Sequence, residues 1–195
     1  ALSYDGETPP SIRSLTPERT VYMGSFSKVL APGLRLGYIV APAALRAKLV
    51  QAKQATDLHT ATLSQMAVYD VVKDGFLDSH IPTIRALYRE QCAAMLAALA
   101  QYMPEGVRWN KPRGGMFLWL RLPQGMDSSA LLPQAIAHGV AYVPGAAFYS
   151  NAPDVRTLRL SFVTSTAEQI DQGIAALAQT VRAAMVPPQV APAAV

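Results

Sequence analysis

The sequence predicts a mixed α/β protein whose second part forms a small α+β domain. Short apolar runs closed by glycine or proline alternate with longer segments of helical periodicity. The first part reads as two strands and three helices, and the last third reads as strand–strand–helix–strand–strand–helix. We therefore expect an α/β block over residues 1–75, a connecting helix with the α+β domain over 76–186, and a disordered, proline-rich tail over 187–195.

Two strands and three helices are predicted in the first part. Residues 20–24 are apolar on both faces, which predicts a buried strand, expected to be parallel. Residues 36–41 predict a second strand beyond a loop that contains Pro32 and Gly33. Apolar residues recur at helical spacing after Pro42. This periodicity predicts helices over residues 42–53, 62–73 and 82–101.

The last third changes to strand-like alternation. Residues 115–122 alternate with period two and carry bulky side chains on both faces. The stretch from Ser165 to Glu168 is a capping box that opens a final helix with one clean apolar stripe. The remaining predictions are strands over 107–110, 140–143 and 157–163, and a helix over 128–138.

Composition excludes several classes of protein. We expect neither a signal peptide nor a membrane span, because no basic segment followed by an apolar stretch and no apolar run of membrane-spanning length is found. The net charge of +4 has no lysine or arginine run behind it, so no nucleic acid is expected to bind this segment. A single cysteine, Cys92, excludes an internal disulfide and fits a cytoplasmic protein. His59, His80 and His138 are far apart in sequence, so we expect no metal.

Lys28 is the residue with the clearest chemical potential. It follows the first predicted strand, and open α/β sheets bind ligands at the carboxyl edge of their strands. Ser25, Ser27 and Arg35 surround it in sequence, and hydroxyls with a guanidinium suit a phosphate. An amine beside a bound phosphate can attack an aldehyde, and the aldehyde that carries a phosphate is pyridoxal phosphate. From spacing alone, the simpler interpretation that Lys28 and Arg35 are loop charges is favoured, since a serine three residues before a lysine is common by chance.

Four motifs resemble one family. Residues 24–38 read GSFSKVLAPGLRLGY, which is similar to the cofactor-lysine segment of fold-type I, class I/II aminotransferases. The resemblance is closest to the subgroup that acts on 2-aminoadipate, kynurenine and aromatic amino acids. KPRGGMFLW at 111–119, GVAYVPGAAF at 139–148 and RLSF at 159–162 resemble later motifs of the same family, in the same order. The chain resembles the C-terminal half of these enzymes: the end of the large cofactor-binding domain and the small C-terminal domain.

This resemblance implies roles for matching residues. Lys28 would form the internal aldimine with pyridoxal phosphate and move a proton between the substrate α-carbon and the cofactor. Ser25, Ser27 and Arg35 would hold the cofactor phosphate, and Arg159 would bind the substrate α-carboxylate. By charge alone Arg156 is an equal candidate, and only the motif separates the two arginines. The reaction would transfer an amino group from an amino acid to a 2-oxo acid in a homodimer.

The resemblance also leaves alternatives open. The family's N-terminal half, which carries the acidic partner of the pyridine nitrogen, has no counterpart here, so the chain alone is expected to be inactive. GntR-type winged-helix transcription regulators carry an aminotransferase-like domain that senses pyridoxal phosphate, and its C-terminal half would look similar. A β-lyase or an acyltransferase of the same fold is a third possibility, because a fold does not fix a reaction type.

Overall fold

A hairpin of two strands opens the part of the chain that carries Lys28. The computed structural model describes residues 2–5 and 8–185. Strand β1 (Tyr22–Ser25) pairs antiparallel with β2 (Gly37–Val40). A short helix, α1 (Ile12–Leu15), precedes the hairpin, and α2 (Ala43–Asp57), α3 (Thr62–Val72) and α4 (Phe76–Tyr102) follow it.

The expectation of a buried, parallel first strand is wrong. Two tight turns between the strands reverse the chain, so β2 runs back along β1. Both strands present exposed side chains, and Met23 is 75% exposed. Among the described residues, β1 and β2 pair only with each other, so no further strand extends this sheet.

Helix α4 begins six residues before the predicted start at Pro82. Proline removes one backbone donor and normally ends or begins a helix. Here the helix runs through Pro82, and the Ser79 hydroxyl donates to the Phe76 carbonyl in the turn before it. Gly75, at a φ of +80°, makes the turn that separates α3 from α4.

The described residues divide into two compact units, residues 8–84 and residues 2–5 with 85–185. The break at residue 84 lies inside α4, whereas the predicted domain boundary at residue 75 lies just before this helix. Residues 2–5 join the second unit: Ser3 forms a β-bridge with Gly114, and the Tyr4 amide donates to the Arg113 carbonyl. The domain division made from the sequence stays a prediction, and the tail over 187–195 lies outside the described residues.

The second unit is a four-stranded antiparallel sheet with helices packed on its apolar face. The strands run in the order β3 (Arg108–Trp109), β4 (Phe117–Arg121), β6 (Thr157–Ser161) and β5 (Val143–Pro144). Leu118, Leu120, Leu158 and Leu160 point into the core. Helix α5 (Ser128–Ala137) and helix α6 (Ala167–Met185) complete the unit.

Two predicted boundaries in this unit shift for reasons visible in the backbone. Val140 does not start a strand, because its amide donates to the Ala135 carbonyl while Gly139 donates to Ile136. These two hydrogen bonds form a Schellman motif that ends α5. The motif includes Val140, the residue expected to begin β5. The capping box of α6 pairs Thr166 with Gln169, one residue later than predicted, through two reciprocal backbone–side-chain hydrogen bonds.

Candidate functional site

Lys28 ends a short 3₁₀ turn that directly follows β1. The turn covers Phe26–Lys28, and the Ser25 side chain accepts a hydrogen bond of 3.1 Å from the Ser27 amide at its start. The Phe26 amide donates to the Leu36 carbonyl at 3.1 Å, which ties the turn to the second strand. Lys28 is exposed, and no carboxylate among the described residues pairs with its amine. The amine is therefore available to a ligand.

Arg35 lies at the end of a second 3₁₀ turn, Pro32–Leu34, which packs against the first. Its backbone adopts the left-handed region at a φ of +53°, a conformation that few non-glycine residues take. Its guanidinium donates to the Pro32 carbonyl at 3.3 Å and has no acidic partner among the described residues. The two packed turns thus carry an amine and a guanidinium that carboxylates leave unneutralised.

The two serines differ in what they can offer. The Ser25 hydroxyl oxygen accepts the hydrogen bond from the Ser27 amide, and it lies 3.5 Å from the Leu36 carbonyl oxygen. The Ser27 hydroxyl has no hydrogen-bond partner in the described part of the chain and is half-buried. The predicted phosphate ligands therefore share one corner of the first unit, with Ser25 already serving as a helix cap. Their roles toward a cofactor stay predictions.

An open groove of about 770 Å³ runs beside this corner. Arg35 lines it, together with Arg46, Lys53 and His59, whereas Lys28 does not. Aromatic residues in apolar strands are most often core residues, but Tyr38 lines the groove and is 44% exposed. Its ring lies over Gly24, where any side chain would overlap it.

Arg159 projects from the sheet face opposite the leucine core of the second unit. It lies on β6, directly opposite Trp119 on β4 and Val143 on β5. Its guanidinium lies 4.1 Å from the ring centroid of Phe117 and 4.6 Å from that of Phe148. Among the described residues, no carboxylate forms an ion pair with it.

Arg156, the equal candidate by charge, already binds a carboxylate of this chain. Its Nε donates to Asp154 at 2.9 Å and its Nη2 donates to the second Asp154 oxygen at 3.1 Å. Arg121 adds a third contact to the same carboxylate at 2.9 Å. The hydrogen bond from Arg156 lowers the pKa of Asp154, so the ion pair is retained near neutral pH. This arrangement leaves Arg159 as the arginine with free in-plane donors.

The sequence indicated only part of the aromatic surroundings of Arg159. Alternation along β4 indicated that Phe117 and Trp119 share one face, which the structure confirms. Phe148 comes from the 3₁₀ turn Gly145–Phe148, and no periodicity signals its approach to Arg159. In the sequence, Phe148 stands out only as the last residue of the motif at 139–148.

Three other side chains of the second unit differ in burial. Cys92 and Tyr142 are both buried in the core of the second unit. Trp119 is half-buried. No cluster of metal-ligating side chains occurs within residues 2–5 and 8–185, and none of the helices there is long and apolar enough to cross a membrane. Lys28, Ser25, Ser27 and Arg35 lie in the first unit, and Arg159 lies in the second.

Comparisons with known proteins agree on one family. The family model for aminotransferase class I and II matches residues 4–177. An aromatic-amino-acid aminotransferase from Thermococcus litoralis is 46% identical over 94% of this chain and 44% of its own length. A 2-aminoadipate transaminase from Thermus thermophilus is 44% identical over 92% of this chain and 46% of its own length. The chain thus spans less than half the length of these relatives.

A solved structure gives the same result. The Pyrococcus horikoshii kynurenine aminotransferase, determined with PMP and its substrates and products, is 44% identical with a TM-score of 0.90. The match covers 95% of this chain and 46% of that one. A Bacillus subtilis protein described as an HTH-type transcriptional regulator is more distant, at 26% identity over 94% of this chain and 38% of its own length.

Proposed function

This chain belongs to the class I and II aminotransferases, and we propose that the protein carrying it transfers amino groups between amino acids and 2-oxo acids. Membership of the family and the fold expected for it are both confirmed. The relatives named for aromatic amino acids, 2-aminoadipate and kynurenine support substrates of these classes. We propose pyridoxal phosphate as the cofactor.

The unneutralised amine of Lys28 is the observation that carries this proposal. Lysine on an exposed turn normally finds water or a carboxylate, and here a capped turn fixes its backbone beside a second turn bearing Arg35. The donor set of amine, Ser27 hydroxyl and guanidinium fits an aldehyde that carries a phosphate dianion. Arg35 and Ser27 would bind the phosphate, while Ser25 keeps the turn in place.

The remaining roles follow from the chemistry of each side chain. Bound pyridoxal phosphate supplies an electron sink for the bonding electrons at the substrate α-carbon. Lys28 would hold the cofactor and then carry the proton at that carbon, because a lysine amine can act as base and as acid in turn. Arg159 would bind the α-carboxylate, because its fork of donors matches two carboxylate oxygens. Arg156 is excluded from this role by Asp154.

We further propose a cytoplasmic homodimer. The first unit leaves large apolar side chains exposed, and a monomer rarely leaves so many uncovered in water. Leu63 is 81% exposed, and Met66 and Tyr69 are 60% and 65% exposed. This exposure supports a covered position for the unit in the whole protein. The buried thiol of Cys92 and the absence of other cysteines support a reducing compartment.

Borohydride reduction tests the assignment of Lys28. The protein is mixed with pyridoxal phosphate, its visible spectrum is recorded, and the complex is reduced and mapped by peptide mass spectrometry. We expect a yellow band that reduces onto Lys28, is lost in Lys28→Ala and is kept in the matched exposed-lysine variant Lys48→Ala. Labelling spread over several lysines and unchanged in Lys28→Ala would contradict the proposal.

Product analysis with the full-length protein separates the rival activities. An aminotransferase forms a new amino acid from a 2-oxo acid, whereas a β-lyase releases ammonia and a regulator holds the cofactor without turnover. Because the chain is distantly similar to an HTH-type regulator, a regulator that binds the cofactor without turnover is the second candidate function. Attachment at Lys28 without amino transfer, in a protein with a DNA-binding segment, would favour the regulator.

A further inference from the structure

The guanidinium of Arg159 lies between two aromatic rings. The guanidinium carbon lies 4.1 Å from the ring centroid of Phe117 and 4.6 Å from the ring centroid of Phe148. Phe148 remains 49% exposed. A phenylalanine that stays half in water contributes little to a core, and its ring instead contacts Arg159 and Trp119.

The two rings reach Arg159 from different elements. Phe117 pairs with Ser161 across β4 and β6, so it lies diagonally next to Arg159 on the same face. Phe148 ends the turn that follows β5, and this turn approaches β6 closely because Gly145 has no side chain to meet Thr157. Trp119 supports Phe148 from the side, edge-on, with ring centroids 5.5 Å apart.

This arrangement limits what Arg159 can bind. A guanidinium is planar and carries all its N–H donors in its plane. Aromatic rings attract the cation through their π-faces and form no hydrogen bond with those donors. Arg156 shows the contrast, because Asp154 occupies its donors in the plane. The ring contacts therefore hold Arg159 without occupying its donors, and no ion pair within the described residues uses them.

We propose that Phe117 and Phe148 are positioning residues that present the donor edge of Arg159 to a substrate carboxylate. The inference rests on the proposed function, because it assigns these rings to the binding of an amino-acid carboxylate. Ring contacts restrict rotation of the guanidinium before the ligand arrives, so less conformational freedom is lost on binding. Removal of either ring therefore weakens binding of the carboxylate specifically.

Binding of a carboxylate and of its neutral amide separates this role from a general structural one. The probes are 3-phenylpropanoate and 3-phenylpropanamide, titrated calorimetrically into the full-length protein loaded with pyridoxal phosphate. We expect Phe148→Leu to weaken carboxylate binding about 2- to 30-fold, the range of a cation–π contact, and to leave amide binding unchanged. Phe148→Tyr keeps a ring and restores binding. Tyr149→Leu is the matched control, an adjacent aromatic without a ring contact to Arg159.

Two further readouts keep the outcomes distinct. Borohydride labelling of Lys28 reports whether each variant still folds and loads the cofactor. The Arg159 Nε–H resonance, assigned by its loss in Arg159→Lys, reports ring-current shielding, which we expect Phe148→Leu to reduce. For L-phenylalanine, KM should rise more than kcat falls.

The possible results distinguish failure of the positioning role from failure of the proposed function. Equal weakening of carboxylate and amide, or no weakening with a changed Arg159 resonance, overturns the positioning role while the proposed function stands. If the wild-type protein loads no cofactor at Lys28 and converts neither L-phenylalanine nor L-2-aminoadipate, the proposed function fails and this inference falls with it. Selective loss of carboxylate binding with normal loading of Lys28 supports both.

Discussion

Gly145→Ala tests the close approach that brings Phe148 to Arg159. A Cβ at position 145 would lie 2.7 Å from the Thr157 Cβ and 2.8 Å from the Thr157 carbonyl carbon, and it would overlap Oγ1. Thr157 cannot rotate away freely, because its hydroxyl donates to the Asp154 carbonyl at 2.7 Å. The turn or the strand must therefore shift.

The magnitude follows from two opposing effects. Overpacking a buried site costs about 1–3 kcal/mol. Replacing glycine with alanine in an unstrained backbone returns about 0.4–1 kcal/mol through the unfolded state. We expect a net loss of roughly 1–2 kcal/mol in the free energy of unfolding of the second unit.

Urea unfolding followed by tryptophan fluorescence measures this loss. The sequence has two tryptophans, and Trp109 and Trp119 both lie in the sheet of the second unit. The fluorescence therefore reports on that unit. Gly173→Ala is the matched control, because its Cβ would lie in the middle of α6 with Val140 Cγ2 4.0 Å away. Helix propensity predicts a gain of about 1 kcal/mol there.

Opposite signs for the two variants would support the reasoning. If Gly145→Ala is as stable as the wild type or more stable, with the Trp119 emission unchanged, then Thr157 does not prevent a side chain at position 145. The account of how Phe148 reaches Arg159 would then be wrong.

Three other perturbations test the packing and charge described above. Thr166→Ala removes half of the reciprocal cap of α6 and should cost about 1 kcal/mol in urea unfolding, whereas Thr166→Ser should cost little. Tyr142→Phe leaves the Ser128 carbonyl without the 2.6 Å bond and should cost about 1–3 kcal/mol. Burial raises the pKa of Tyr142 to about 12, so its stabilisation is complete below pH 10 and is lost as the pH rises through 12; an alkaline unfolding series should show this loss only when Tyr142 is present. The pKa of Asp154 is lowered by the hydrogen bond from Arg156, so its stabilisation is present above about pH 4 and is lost as the pH falls through the lowered value; Asp154→Asn should flatten that part of an acid unfolding curve, and an unchanged curve would contradict the ion pair.

Hydrophobic periodicity and capping residues predicted most helices and strands, because both act over a few neighbouring residues. Residues 62–73 match α3, and residues 128–138 match α5, because helical periodicity and capping are set within a few residues. The alternation in 115–122 predicted β4 and the face shared by Phe117 and Trp119. The extent of β5 was missed because the Schellman motif after α5 uses Val140, and that choice depends on two competing backbone bonds.

In the candidate site, too, the sequence indicated some features and only the structure showed others. Lys28 and Arg35 were found from a motif, and the structure adds that neither has a carboxylate partner among the described residues. Charge alone left Arg156 and Arg159 equivalent. Asp154, two residues before Arg156, separates them, because its bidentate contact depends on how the loop before β6 folds back on itself and not on charge.

The sequence by itself determined the family, the order of the elements and the identity of the candidate lysine, because these depend on residue type and short-range spacing. Only the tertiary structure decided the direction of β1 against β2, the exposure of the hairpin and the two rings around Arg159. Strand direction depends on how two turns reverse the chain. The contact of Phe148 with Arg159 depends on a glycine that lets the turn approach Thr157, and neither leaves a periodic signal in sequence.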